Sequence, residues 1–156
     1  MNLGDAVTMD MAATPDQVWA IVSDITRIGE LSPETFEAEW LDGATGPAPG
    51  ARFRGHVKRN GRGPIYWTTC RVTACEPGRR FGFDVLGPGD VVANSWRYDI
   101  EPSATGARVT ESFQLPDTVW TRVYWTLAGR WRGRTNRRGM AQTLARVQAL
   151  VEAGTL

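Results

Sequence analysis

Residues 136–152 read N-R-R-G-M-A-Q-T-L-A-R-V-Q-A-L-V-E, and the fold turns on what this segment packs against. Met140, Leu144, Val147, Leu150 and Val151 follow at steps of four, three, three and one, which places them on one face of a helix with 3.6 residues per turn. Arg137, Arg138, Gln142, Arg146 and Glu152 are left for the other side. A helix this one-sided needs an apolar partner surface.

The chain upstream supplies one. V-T-M-D-M, residues 7–11, alternates apolar and polar and predicts a first strand over 5–12. In A-T-P-D-Q-V-W-A-I-V-S-D-I, residues 13–25, Thr14 fits an N-cap and Pro15 the first helical position. Val18, Trp19, Ile21 and Val22 form the apolar face. A second short helix over 25–31 should close at Ser32-Pro33, because a residue before proline is biased out of the helical region. F-E-A-E-W-L then reads as a strand. Further strands are expected over 51–59, 65–76 and 80–86, joined by N-G-R-G-P and E-P-G, whose residues suit tight antiparallel turns. S-W-R-Y-D-I and R-V-T-E-S-F-Q-L, separated by E-P-S-A-T-G, complete the set.

Strand parity sorts the side chains. Cys70, Val72 and Ala74 share a face, as do Phe81, Phe83 and Val85; Trp96, Tyr98 and Ile100; and Val109, Glu111, Phe113 and Leu115. The opposite faces hold Arg71, Thr73, Asp84, Arg97, Asp99, Thr110 and Ser112. One wet side and one dry side is the signature of an antiparallel sheet covered on a single face, and the terminal helix is the natural cover.

Composition removes several function classes. At 156 residues, with 42% hydrophobic and 22% charged residues, the chain has the size of one domain with a real core. No apolar run approaches the roughly 20 residues of a bilayer-crossing helix, and the first residues do not read as a signal peptide, so a cytoplasmic protein is expected. A net charge of +1 gives no global attraction to nucleic acid, which is not expected as a partner. Lys58 is the only lysine among 18 basic residues, a preference with no functional weight. Cys70 and Cys75 are an odd offset apart in one strand and are expected on opposite faces, as packing residues rather than a disulfide pair. The single histidine, His56, shares a face with Arg52 and Arg54 and reads as an exposed strand residue ahead of a catalytic base. One histidine and no clustered cysteines or carboxylates argue against a built-in metal site. There is no G-x-S-x-G elbow, no phosphate-cradling glycine loop and no Ser-His-Asp set in a fitting context.

The order of strand, two short helices, six strands and long terminal helix resembles the helix-grip fold. More narrowly, P-D-Q-V-W-A-I-V-S-D-I, W-L-D-G followed by G-A-R-F-R-G, C-R-V-T-A-C-E-P-G-R-R-F-G-F-D-V, W-R-Y-D-I-E-P, T-G-A-R-V-T-E-S and N-R-R-G-M-A-Q-T-L resemble the polyketide cyclase/dehydrase group of the START-like superfamily, often labelled SRPBCC. The resemblance runs over nearly the whole chain and implies an α+β domain over 1–156: a curved seven-stranded antiparallel sheet wrapped around the C-terminal helix, with a deep apolar cavity between them. Fold alone does not choose among the cyclases, dehydratases, lipid carriers and hormone receptors of that group.

Seven Trp, five Phe and three Tyr suffice to line such a cavity, although aromatics on a dry face serve equally as plain core. Glu111 is the sharpest candidate. Its parity turns it inward with Val109 and Phe113, where a carboxyl must be protonated or paired. It marks either the polar end of a ligand cavity, with Tyr98 and Trp96 beside it, or a structural ion pair with Arg71 or Arg97, or a bulge that turns it outward. Parity and the resemblance together add Trp40, Phe53, Trp67, Phe81, Phe83, Phe113, Met140 and Leu144 as lining residues, Trp67 only if a bulge reverses its parity.

Two functions follow: a carrier or sequestering protein for a lipid or polyketide-like molecule, and a cyclase or dehydratase using the same pocket with Glu111 as its acid. For either, the resemblance implies no metal or nucleotide cofactor, and the sequence leaves monomer and homodimer open. A third reading places an interaction surface in residues 117–138, where Trp120, Tyr124, Trp125 and Trp131 interleave with Arg122, Arg130, Arg132, Arg134, Arg137 and Arg138. This stretch is a helical extension with its aromatics under the sheet, or a face that transiently meets anionic lipid headgroups, or a surface for single-stranded nucleic acid.

Overall fold

A computed structural model describes residues 2–58 and 63–154. Arg59, at the end of one expected strand, and Asn60 to Arg62 of the expected N-G-R-G-P turn lie outside the described residues.

The elements follow in the order β1 (Gly4–Met11), α1 (Pro15–Val22), a 3-10 turn (Ile25–Arg27), α2 (Ile28–Leu31), β2 (Thr35–Trp40), β3 (Arg52–Lys58), β4 (Ile65–Glu76), β5 (Arg80–Leu86), β6 (Val92–Ser103), β7 (Gly106–Gln114) and α3 (Val119–Glu152). The strands form one antiparallel sheet in the order β1-β7-β6-β5-β4-β3-β2, a meander from β2 to β7 that β1 closes by pairing with β7. The sheet curves around α3, as in the helix-grip fold.

Local chemistry accounts for the boundaries. Thr14 caps α1 through a hydrogen bond from the Gln17 amide, and the Gln17 side chain accepts from the Thr14 amide in return. Pro15 follows in the first turn, and Val18, Ile21 and Val22 are buried. Gly29 is required in α2: a Cβ there would run into the Phe36 carbonyl oxygen, so only glycine lets α2 rest directly on β2. β6 begins at Val92, earlier than expected, because the loop before it shrinks to a tight turn in which Gly89 and Asp90 take positive φ.

Irregular pairing gives the sheet its bend. In the β4–β5 ladder the register shifts between Val72 and Ala74, the mark of a β-bulge. The bulge corrects the expected parity. Cys70 pairs with Val85 and Val72 with Phe83 before it, and Cys75 pairs with Phe81 after it. Cys75 therefore turns inward and packs against the same core as Cys70, while Ala74 turns outward toward Gly82. Both thiols are free.

The C-terminal half of α3 covers the dry face as the segment 136–152 implies. Met140, Leu144, Val147 and Val151 are buried, Leu144 and Val147 among Val18, Phe81, Ile100 and Val109. The helix starts much earlier than residue 136, at a capping box formed by Thr118 and Thr121. Its first half departs from the expectation that the aromatics pack under the sheet. Trp125 is half-buried with its ring 6.4 Å from that of Phe113, whereas Trp120 and Trp131 point to solvent. No helix among the described residues is long and apolar enough to cross a membrane.

Candidate functional site

Between the inner face of the sheet and α3 lies a cavity of about 420 Å³, within the range that accepts a drug-sized molecule. The side chains that α3 presents change along its length. Where the C-terminal turns present Leu144, Val147 and Val151 to the core, the turns over the cavity present Asn136, Gly139, Met140 and Thr143. The α2–β2 junction, with the exposed Pro33, and the partly exposed Tyr124 form its rim.

Glu111 faces this space. It is 5% exposed, paired in register with Tyr98 on one side and Val7 on the other, and neither Arg71 nor Arg97 reaches it. Those arginines sit on the outer face with Asp84 and Asp99. The Tyr98 hydroxyl donates to Glu111 Oε1 at 3.2 Å. Burial pushes the carboxyl up to about 8, against a smaller downward pull from that hydrogen bond, so it is mostly protonated at neutral pH. Burial, with the adjacent carboxyl, also raises Tyr98 well above the ordinary phenol value, which keeps it a donor.

Three buried polar side-chain atoms have no hydrogen-bond partner among the described residues: Glu111 Oε2, Asn94 Oδ1 and Asn136 Nδ2. All three residues line the cavity. Leaving a buried polar atom unpaired costs about 1–3 kcal/mol, so three on residues that border one space is a costly arrangement unless something bound there completes them. One is an acceptor, one a donor, and the protonated carboxyl can serve as either.

Of the residues singled out in the sequence, Phe53, Phe83, Trp96, Tyr98, Glu111, Phe113 and Met140 line the cavity. Phe81 and Leu144 are fully buried in the adjoining core, and Trp40 packs behind the wall with its ring 5.7 Å from that of Phe53. Trp67 is elsewhere. The β3–β4 register runs without a shift past it, so no bulge reverses its parity, and it lies 41% exposed on the outer face. There it stacks on His56 at 4.1 Å, with the Arg54 guanidinium 4.2 Å above its ring. His56 is accordingly a surface strand residue, hydrogen-bonded to Glu37 at 2.7 Å.

Residues missed in the sequence carried a readable signal. Tyr66 and Thr68 share the parity of Cys70 and line the wall in place of Trp67. Asn94 continues the row of Trp96 and Tyr98, and Asn136 stands one helical turn before Met140. Arg132, also on the wall, stood among the arginines of 117–138 with no sign of its direction. No group of three or more His, Cys, Asp or Glu side chains converges as a metal site among the described residues.

The chain belongs to the family described as polyketide cyclase / dehydrase and lipid transport, which it matches over residues 6–152. This is a group of the SRPBCC superfamily. Among solved structures, it is similar to a Polyketide_cyc-like protein from Corynebacterium glutamicum, at 29% identity and a TM-score of 0.60, covering 99% of this chain and 94% of that one. A protein from Deinococcus radiodurans shares the fold at 22% identity and a TM-score of 0.66, covering 97% of each chain. The di-domain ARO/CYC protein StfQ of the steffimycin biosynthetic pathway shares it at 12% identity and a TM-score of 0.75, over 98% of this chain and 51% of that one. No curated protein matches the sequence.

Proposed function

We propose that the chain binds a hydrophobic lipid-like or polyketide-like molecule in the cavity between the sheet and α3, as a carrier or sequestering protein. The observation that carries this reading is the set of unpartnered atoms on Glu111, Asn94 and Asn136 in an otherwise largely aromatic and aliphatic wall. Their mixture of donor and acceptor suits a neutral group that both gives and takes hydrogen bonds, such as a hydroxyl beside a ketone. The body of such a molecule would lie against Phe53, Phe83, Trp96 and Phe113.

A second reading is a cyclase or dehydratase acting in the same cavity, and the protonated Glu111 favours it. A carboxyl held near 8 is a competent general acid at neutral pH. In the dehydration of a β-hydroxy ketone, Glu111 would give its proton to the departing hydroxyl as the carbon–oxygen bond breaks. The carboxylate so formed would take the proton from the neighbouring carbon, leaving water, the unsaturated ketone and the acid restored. Tyr98 would hold the carboxyl in place through Oε1.

Native mass spectrometry of protein isolated from the cells that make it, followed by denaturing release, tests the binding reading. A stoichiometric hydrophobic compound bearing a hydroxyl or carbonyl group is expected. An empty protein that also fails to take up hydrophobic fluorescent probes contradicts it. Incubation with a β-hydroxy ketone, followed for loss of water, separates the two readings.

A further inference from the structure

The first half of α3 presents an apolar row to solvent. Trp120 is 83% exposed, Leu127 82% and Trp131 74%, with Val123 beside them. Spaced by seven and four residues, the first three fall on one helix face, while Trp125 and Gly129 on the opposite side hold the helix down. The row runs directly into the exposed Arg130, Arg134 and Arg138, each four residues from the last. Between Val119 and Val151 there are seven arginines and no acidic residue. Arg122 pairs with Asp117 and Arg137 with Asp5, but among the described residues Arg130, Arg134 and Arg138 pair with no carboxylate.

We infer that this face of α3 docks on the anionic surface of a lipid bilayer. Tryptophans and aliphatic side chains at one level, with arginines alongside, match the interfacial zone, where rings and methyl groups enter the acyl boundary and guanidinium groups meet phosphates. Charge and side-chain chemistry decide against the other occupants. A second copy meeting this face across a two-fold axis would offer its arginines no acidic partner between Val119 and Val151. A single-stranded nucleic acid would stack on the tryptophans but gain little from Val123 and Leu127. The same helical turns carry Tyr124 and Arg132 on the cavity wall, so a docked protein would hold its cavity beside the membrane. That last link rests on the cavity being the ligand site; the docking itself does not.

Co-sedimentation with vesicles of phosphatidylcholine alone, and of phosphatidylcholine with 30% phosphatidylglycerol, is the test. Binding is expected to the anionic vesicles only, weakening as salt rises. Replacing Arg130, Arg134 and Arg138 together by Gln is expected to weaken it on the order of a hundredfold, about fivefold per charge. Trp120→Ser with Leu127→Ser should also abolish it with an unchanged thermal midpoint, since both side chains lie in solvent. The inference is overturned if wild-type protein ignores anionic vesicles or binds neutral ones equally. It is also overturned by a solution dimer that the Trp120/Leu127 variant dissociates, or by single-stranded DNA that binds while vesicles do not. None of these results touches the cavity reading, which ligand release tests separately.

Discussion

Tyr98 and Glu111 stand directly opposite each other across β6 and β7, and the tyrosine hydroxyl engages one carboxyl oxygen while the other is buried without a partner. A carboxyl half satisfied by its own protein and half left unpaired, on a residue that lines a cavity, ties the protonation of the site to the stability of the fold.

Glu111 keeps its proton in the folded protein to about pH 8, whereas in the unfolded chain it ionises near 4.5. Across that window the native state binds more protons, so the residue's contribution to stability is greatest below pH 4.5 and is lost as pH rises to 8. Measured by urea unfolding from pH 5 to 9, wild type should lose stability relative to Glu111→Gln, by about 4 kcal/mol.

Removing the Tyr98 hydroxyl should move the same titration. Because its hydrogen bond favours the ionised carboxylate, Tyr98→Phe is expected to raise the Glu111 midpoint further and to cost about 1 kcal/mol of stability. Carbon-13 NMR of the labelled carboxyl reads the midpoint directly; a downward shift would contradict the assignment.

Side chains on the two faces of the sheet should separate cleanly in ligand uptake. Phe83→Ala is expected to weaken binding of a hydrophobic fluorescent probe severalfold. Trp67→Ala, on the outer face, should leave it unchanged while removing the stack on His56. Leu144→Ala should act on stability, by about 2–5 kcal/mol, since that side chain is pure core.

The two thiols should react in order. Burial pushes Cys70 up to about 12 and Cys75 less far, so a thiol reagent applied to the folded protein should label Cys75 slowly and Cys70 only on unfolding. Mass spectrometry of the partly labelled protein checks the order.

Periodicity made most of this fold legible. The stripe from Met140 to Val151, the Thr14 cap and the alternating strands each state a local preference that the tertiary structure keeps. The inward turn of Glu111 follows from the same alternation. Its limits are the places where alternation breaks. The bulge between Val72 and Ala74 has no residue signature, so the side of Cys75 was hidden, while the unbroken register past Trp67 refused a bulge assumed there. Asn94 and Asn136 stood in readable rows but were passed over for another reason: a polar residue on an apolar face counts as an interruption until a cavity is found beside it. The outward turn of Trp120 and Trp131 was one of three readings left open, because aromatics on a helix do not reveal whether the sheet beneath extends far enough to cover them.

Asn136 gives the sharpest test of the central claim, that the cavity's unpaired polar atoms complete themselves on a ligand. Binding of a hydroxynaphthyl ketone and of naphthalene should be titrated calorimetrically into wild type and Asn136→Leu. The variant is expected to be more stable than wild type when empty, by about 1–3 kcal/mol, since it removes an unpaired buried amide nitrogen. It should bind the ketone about tenfold more weakly and naphthalene no worse. Equal affinity of the two proteins for the ketone, or no binding of either compound to wild type, would contradict the account.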